Sequence, residues 1–456
     1  MSIRTPFRAL LVFVALLLLP ATAVLSSPAG GEAFVPGAQG DGPSGDPSVS
    51  GDGRFVAFSS AAANLVPGDE NGLQDVFLRD RQTGDTILLS RGMNDEGANG
   101  FSGRAVVSAD GRFVAFESVA DNLVPYDNNM ESDVFVYDRA AETLSRASVT
   151  SGGLQAAGAA YEPDISADGR YVVFASTAIN LDSADDSPSV DIFIHDRQRG
   201  QTALVSVDKT GQRGTGLAGQ PVVSADGRMV AFASDADDLV AGDGNEAADI
   251  FVRNRQTGKT TRVSVGTAGQ EADAESFDPA ISADGRVVAF ASYATNLTGE
   301  ATGGRANIFA RDPSSGKTTL VTGVVGGADG DSMRPRLSGD GRYVAFMSAA
   351  ANLTAAPDEN GATDIFVHDR QTAETALVSL GSGGPGDGDS LQPAISAGGG
   401  VVVFASAATN LVPGDSNRWS DVFARDQQAG QTTRVSLAHG GAQPAGDAAY
   451  LSLIIR

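Results

Sequence analysis

The chain has 456 residues, 41% of them apolar and 19% charged, with 56 glycines and a formal net charge of −24. This composition fits a folded protein rich in strands and turns better than a disordered one, and its acidic sign argues against nucleic acid and anionic membrane surfaces as partners. With no cysteine anywhere, neither a disulfide nor a cysteine-linked lipid anchor is available, and stability has to come from packing.

Met1 to Ala23 has the layout of a secretory signal: Arg4 and Arg8, an apolar run from Ala9 to Leu19, then Ala21-Thr22-Ala23 as a small-residue cleavage site. The apolar run is too short to span a bilayer comfortably, so no stable membrane insertion is expected once the signal is removed. The mature protein is expected to be exported, to the periplasm or beyond, with 24–45 as an N-terminal segment.

From Asp46 to Leu437 one unit recurs seven times. Six copies open Ser-Xaa-Asp-Gly-Arg, at Ser50, Ser108, Ser166, Ser224, Ser282 and Ser338, and a seventh opens at Ser396 with Ala397-Gly398-Gly399-Gly400 behind it. The starts lie 58, 58, 58, 58, 56 and 58 residues apart, a period that means one supersecondary unit repeated. In the third copy Pro163 to Ser166 reads as a short extended segment and Ala167-Asp168-Gly169 as a tight turn. Arg170 to Ser176 reads as a β-branched and aromatic strand, Asp191 to His195 as a third strand and Gln201 to Ser206 as a fourth. Fourteen of the 21 phenylalanines fall at two repeating sites, Phe58 and Phe77 in the first copy and their equivalents after it. They read as core. Seven four-stranded units with no helical period between them predict an all-β, seven-bladed β-propeller with four antiparallel strands per blade.

The string Ser-Ala-Asp-Gly-Arg-Xaa-Val-Ala-Phe, followed by Asp-Ile-Phe-Val-Xaa-Asp-Arg-Gln-Thr-Gly and a Thr-rich last strand, resembles the TolB-like (WD-repeat-like) propeller repeat over nearly the whole mature chain. The family's usual Ser-Pro-Asp-Gly has Ala or Gly here in place of Pro. TolB itself has six blades and an extra N-terminal domain that this chain lacks, so its partners are not carried over.

In each blade the connections after strands one and three are tight and those after strands two and four are long, so the long loops are expected on one face, where binding residues belong. Two candidate sites follow. The longer loops carry Asp-Xaa-Asn-Xaa-Xaa-Xaa-Asp: Asp69, Asn71, Asp75; Asp127, Asn129, Asp133; Asp243, Asn245, Asp249; Asp358, Asn360, Asp364; and Asp415, Asn417, Asp421. Such oxygen-rich loops suit calcium, and equally suit Asx-turns in which the side chains hold the loop's own amides. At the channel mouth, where the chain enters strand one, stand Asp46, Arg104, Glu162, Gln220, Asp278, Arg334 and Gln392, with Asp164 and Arg336 two positions further on. These charges are a candidate ligand site; ordinary solvation of a water-filled opening would account for them too.

Catalytic signals are weak. His195 and His368 share a strand-three position with several arginines and read as surface residues, and no nucleophile elbow occurs. The expected function is an exported scaffold that binds a protein or carbohydrate through its acidic long-loop face. The alternative is a carbohydrate-cleaving lyase or glycosidase in the central funnel, which would need two carboxylates such as Glu162 with Asp164 or Asp278. In the tail (438–456), Tyr450 to Ile455 falls in the register of a first strand and is expected to dock where blade seven meets blade one.

Overall fold

The computed structural model describes residues 35–355 and 360–440; the expected leader, Asp358 and the tail strand lie outside the described residues. The described chain forms seven four-stranded antiparallel sheets, each ordered one-two-three-four from the first strand outward. Blade one comprises Ser44–Val49, Phe55–Ser60, Asp75–Asp80 and Asp85–Leu88. Blade three comprises Ala160–Ile165, Tyr171–Ser176, Asp191–Asp196 and Gln201–Leu204. Strand one thus starts two residues before Asp46, because a β-bulge takes the chain past the residues expected at its entrance. A two-residue ladder, Leu380–Gly381 with Gly384–Pro385, is added between blades six and seven. No helix among the described residues is long and apolar enough to cross a membrane.

The core lies between blades. Phe174 and Phe193 are paired across strands two and three, their rings stack at 6.1 Å, and both pack with Ala115, Val134 and Val136 of blade two. The same two-ring step recurs in every blade at 5.8–6.1 Å. Because Phe58 and Phe77 of blade one share a cluster with Val403, Val422 and Ala424 of blade seven, the ring is closed by the same kind of apolar contact that joins its other members.

Each letter of the recurring motif has a physical role. In blade one Ser50 Oγ accepts the Phe55 amide at 2.9 Å and donates to Asp52 at 2.5 Å, while Asp52 accepts the Arg54 amide at 3.0 Å. The arginine then forms a two-point ion pair with the aspartate that ends strand three: Arg54 with Asp80, Arg112 with Asp138, Arg170 with Asp196 and Arg342 with Asp369, at 2.6–2.8 Å. The glycine is required twice over. Gly169 has φ +70°, and a Cβ there would sit 2.0 Å from the Phe113 ring of the preceding blade.

The residue between Ser and Asp joins one blade to the next. Its amide donates to the carbonyl of its counterpart in the next blade: Gly51 to Ala109, Ala109 to Ala167, Ala167 to Ala225, Ala225 to Ala283, Ala283 to Gly339, Gly339 to Ala397 and Ala397 back to Gly51, at 2.8–3.2 Å. Seven blades are thereby tied by a closed collar of main-chain hydrogen bonds at the tight-turn end of the channel. Proline has no N–H to give, so Ala or Gly at this position is the chemistry this collar demands.

The seam between blades seven and one is held by further repeats of the contacts found elsewhere. Ser44 N donates to Ser420 O at 2.7 Å, as Ser102 N does to Gln74 O at 3.0 Å. Gln39 bridges to Leu437, Ala438 N donates to Ala38 O at 2.8 Å, and the fully buried Arg79 donates to the carbonyls of Leu437 and Ala438 at 3.3 and 3.2 Å. Arg311 makes the equivalent bonds to Val265 and Gly266 at 3.1 and 3.3 Å. This corrects the surface placement expected for His195 and His368. Their position faces the trailing segment of the neighbouring blade, and His195, 6% exposed, bonds Thr202 at 2.8 Å.

Candidate functional site

The long loops share one face, and they interlock. In every described Asp-Xaa-Asn loop the asparagine Oδ1 accepts the amide two residues on, from Leu73, Glu131, Ala247, Ala362 and Trp419 at 2.8–3.1 Å. Its Nδ2 donates to the second aspartate and to a carbonyl of the adjoining loop; for Asn71 these are Asp75 Oδ2 at 2.7 Å and Ala98 O at 3.2 Å. The pattern is an Asx-turn and a tether.

The two aspartates of these loops are buried together, and most of the pairs have a tethered cation that the sequence reading missed. Arg146 lies 3.2 Å from Asp127 and 3.7 Å from Asp133. Arg262 lies 2.7 Å from Asp243 and 3.2 Å from Asp249, and Arg434 lies 3.0 Å from Asp415 and 3.4 Å from Asp421. In blade three Arg213 does the same from the next loop, 4.0 Å from Asp185 and 3.6 Å from Asp191. The five loops are therefore not five equivalent calcium sites. In blades two, four and seven a guanidinium fills the space between the carboxylates, and among the described residues no three His, Asp or Glu side chains are grouped as ligands of one metal ion. The signal was in the sequence, as a recurring arginine at the last residue of strand four.

The seven channel residues Asp46, Arg104, Glu162, Gln220, Asp278, Arg334 and Gln392 do form a ring, and all seven have left-handed backbone, φ +46° to +56°, at the strand-one bulge. Their side chains mostly serve the next blade. Gln392 Oε1 accepts the Asp46 amide at 2.9 Å, Glu162 Oε2 that of Gln220 at 2.8 Å, Gln220 Oε1 that of Asp278 at 2.9 Å, and Asp278 Oδ2 that of Arg334 at 3.1 Å. Arg104 has no acceptor to offer Glu162, and Glu117 takes its place, receiving the Glu162 amide at 2.9 Å while Arg104 bridges the two carboxylates at 3.5 and 3.1 Å. Burial still pushes the Glu117 carboxyl up. Sequence reasoning missed Glu117, the one acidic residue at its strand-two position. Both oxygens of Glu162 are engaged, one by Arg104 and one by Gln220.

Deeper in the channel Asp164 Oδ2 accepts the Val223 amide at 2.7 Å, as Ser48 Oγ accepts that of Val107 at 3.1 Å. Burial lifts Asp164 to about 6 against the opposing pull of these hydrogen bonds and of Arg336. Arg336 donates to Pro335 O at 3.0 Å, with no carboxylate at ion-pair distance among the described residues.

Where blades two and three meet, the same face displays apolar side chains. Tyr126 and Met130 are 91% and 90% exposed, and Leu154 and Ile179 are 70% and 52% exposed. Hydrogen bonds join the three loops that carry them: Asn128 N donates to Gln155 Oε1 at 3.3 Å, and Asn180 Nδ2 donates to Gln155 O at 3.0 Å. Tyr126 and Met130 have φ +62° and +58°, where blade one has Gly68 and Gly72 at +82° and +67°. Blades four and seven also carry left-handed side chains at the Met130 position, Glu246 at +56° and Arg418 at +63°, whereas at the Tyr126 position they have Gly242 and Gly414 at +75° and +76°, so Tyr126 is the outlier of the pair. Glu131, Asp121 and Asp186 are exposed on the same loops; Arg146 is spent on the buried aspartates, while Arg213 pairs with Asp191 at 3.6 Å and with Asp186 at 3.8 Å.

No protein-family model matches the chain, and no curated protein sequence does. Solved structures do. The propeller domain of the Trilobed protease from Pyrococcus furiosus, described as having an open velcro topology, is 11% identical with a TM-score of 0.52, over 86% of this chain and 97% of that one. An oligogalacturonate lyase in complex with manganese is 15% identical with a TM-score of 0.50, over 84% and 90%. A putative TolB from Agrobacterium tumefaciens is 16% identical with a TM-score of 0.38, over 61% and 79%. At these identities the first two show a shared fold alone: the chain is a seven-bladed propeller.

Proposed function

We propose that the protein is an exported binding scaffold whose long-loop face docks a protein partner presenting apolar side chains flanked by basic ones. The observation that carries this reading is the pair Tyr126 and Met130, held almost wholly in solvent on left-handed backbone that costs stability. Nothing in packing repays that cost: a Cβ at the blade-one equivalents Gly68 and Gly72 meets no atom within 4 Å. Exposed apolar patches with a polar rim mark interaction sites. The exposed acidic residues on the same loops select the charge of the partner and speed its approach. The collar and the tight turns leave the opposite face plain by comparison.

A photo-crosslinking side chain placed at Met130, and separately at Gln82 on the tight-turn face, tests the assignment in the envelope and culture fractions of the source cells. Adducts with a defined protein are expected from position 130 and not from position 82. Adducts from position 82 alone would put binding on the wrong face.

A further inference from the structure

Blade four shows how a pair of buried loop carboxylates is normally satisfied. Arg262 NH1 lies 2.7 Å from Asp243 Oδ1 and 3.2 Å from Asp249 Oδ2, and its NH2 donates to Gly242 O at 3.0 Å and to Glu271 Oε1 at 2.6 Å. Blade one repeats the acidic half of this arrangement and none of the basic half. Asp69, Asp75 and Gly68 stand where blade four has Asp243, Asp249 and Gly242, but Arg262 is replaced by Leu88 and Glu271 by Gly97. Leu88 pairs with Phe77 in the register in which Arg262 pairs with Phe251.

Asp69 is 6% exposed and Asp75 fully buried. Asp75 is bonded by Ser90 Oγ at 2.6 Å and Asn71 Nδ2 at 2.7 Å, whereas Asp69 has no side-chain hydrogen bond or ion pair among the described residues. The charged groups that face it, Asp75 and Asp41, are both acidic. Buried carboxylates without a cation are expensive, and three sister blades meet that cost with a guanidinium in this place.

We propose that the blade-one loop binds a hard divalent cation such as Ca²⁺, held between the carboxylates of Asp69 and Asp75 with the main-chain oxygen of Gly68, where blades two, four and seven place an arginine. The Asp75 oxygen has room for it, because its blade-four counterpart, Asp249 Oδ2, accepts from Asn245 at 2.9 Å and still pairs with Arg262. Water completes the six to eight oxygens that Ca²⁺ takes, and the adaptable geometry of Ca²⁺ favours it over Mg²⁺ in a loop of this kind. The inference is independent of the partner-binding reading, since it concerns a buried pair in a different blade.

The test is calorimetric titration of the chelator-treated full-length protein with CaCl₂ and with MgCl₂, alongside melting curves, for the wild type, Asp69→Asn and Leu88→Arg. The wild type is expected to take up one Ca²⁺ per chain and to melt higher with it. Asp69→Asn is expected to lose that uptake. Leu88→Arg, which installs the cation of the other blades, is expected to bind none and to melt in chelator at or above the temperature of the calcium-loaded wild type. Absence of uptake by the wild type, undiminished uptake by Asp69→Asn or retained uptake by a folded Leu88→Arg would each overturn the site, and uptake of Mg²⁺ alone would overturn the choice of ion. Should Leu88→Arg fail to fold, Asp69→Asn decides.

Discussion

Replacing Arg262 by leucine is expected to lower the stability of the fold by about 3–5 kcal/mol at neutral pH, the usual cost of removing one partner from a buried ion pair. The arginine side chain is 8% exposed and its partners Asp243 and Asp249 are 5% and 0% exposed, so solvent screens little of the loss. Asp243 is already pushed up to about 6 by burial, with Arg262 as the main force pulling it back; without that arginine its folded value rises further above that of the unfolded chain. The mutant's native state then holds more protons than the wild type's, so the deficit is largest above the mutant's folded pKa and shrinks as pH falls to about 6, below which Asp243 is protonated in both folded proteins. Chemical denaturation from pH 8 to pH 5 would measure it. A deficit that grows on acidification would show that the guanidinium is not what stabilises the pair.

Gly169→Ala is expected to cost about 2–4 kcal/mol, combining left-handed backbone with overpacking. The Phe113 ring that the new methyl would strike cannot swing aside freely, because Arg112 and Arg197 lie over it at 4.6 and 4.5 Å. Gly68→Ala is the internal control: its φ is +82°, yet nothing lies within 4 Å of a Cβ there, so only the backbone cost of about 1 kcal/mol should appear. Equal losses at the two sites would mean that the blade-to-blade contact at the Asp-Gly turn contributes nothing.

The propeller was readable from the repeat because the period, the paired phenylalanines and the Asp-Gly turn each report a local requirement repeated seven times. The collar was not, since it is made of main-chain amides, and its only trace is the absence of proline before the aspartate. The ring from Asp46 to Gln392 was found as a set, but its bulge and left-handed backbone, and with them the use of each side chain by the next blade, follow from a register that period alone does not give. The Asp-Xaa-Asn loops show the limit most clearly. Their oxygen content suggested calcium in five blades, whereas the arginines that decide the matter lie at the last position of strand four or, as with Arg213, in the next loop. Only the fold brings those positions onto the aspartates. Tyr126 and Met130 were passed over because exposure and backbone sign are properties of the structure.

The claim that the long-loop face is a docking surface is tested most directly by the double substitution Tyr126→Gly with Met130→Gly, assayed for melting temperature and for retention of the partner crosslinked at position 130. These side chains touch little of their own fold and sit on backbone that glycine adopts freely. Stability is therefore expected to stay level or rise by up to about 1 kcal/mol while partner binding falls at least tenfold. A variant that melts lower and binds its partner undiminished would contradict the account, because the two residues would then be serving the fold.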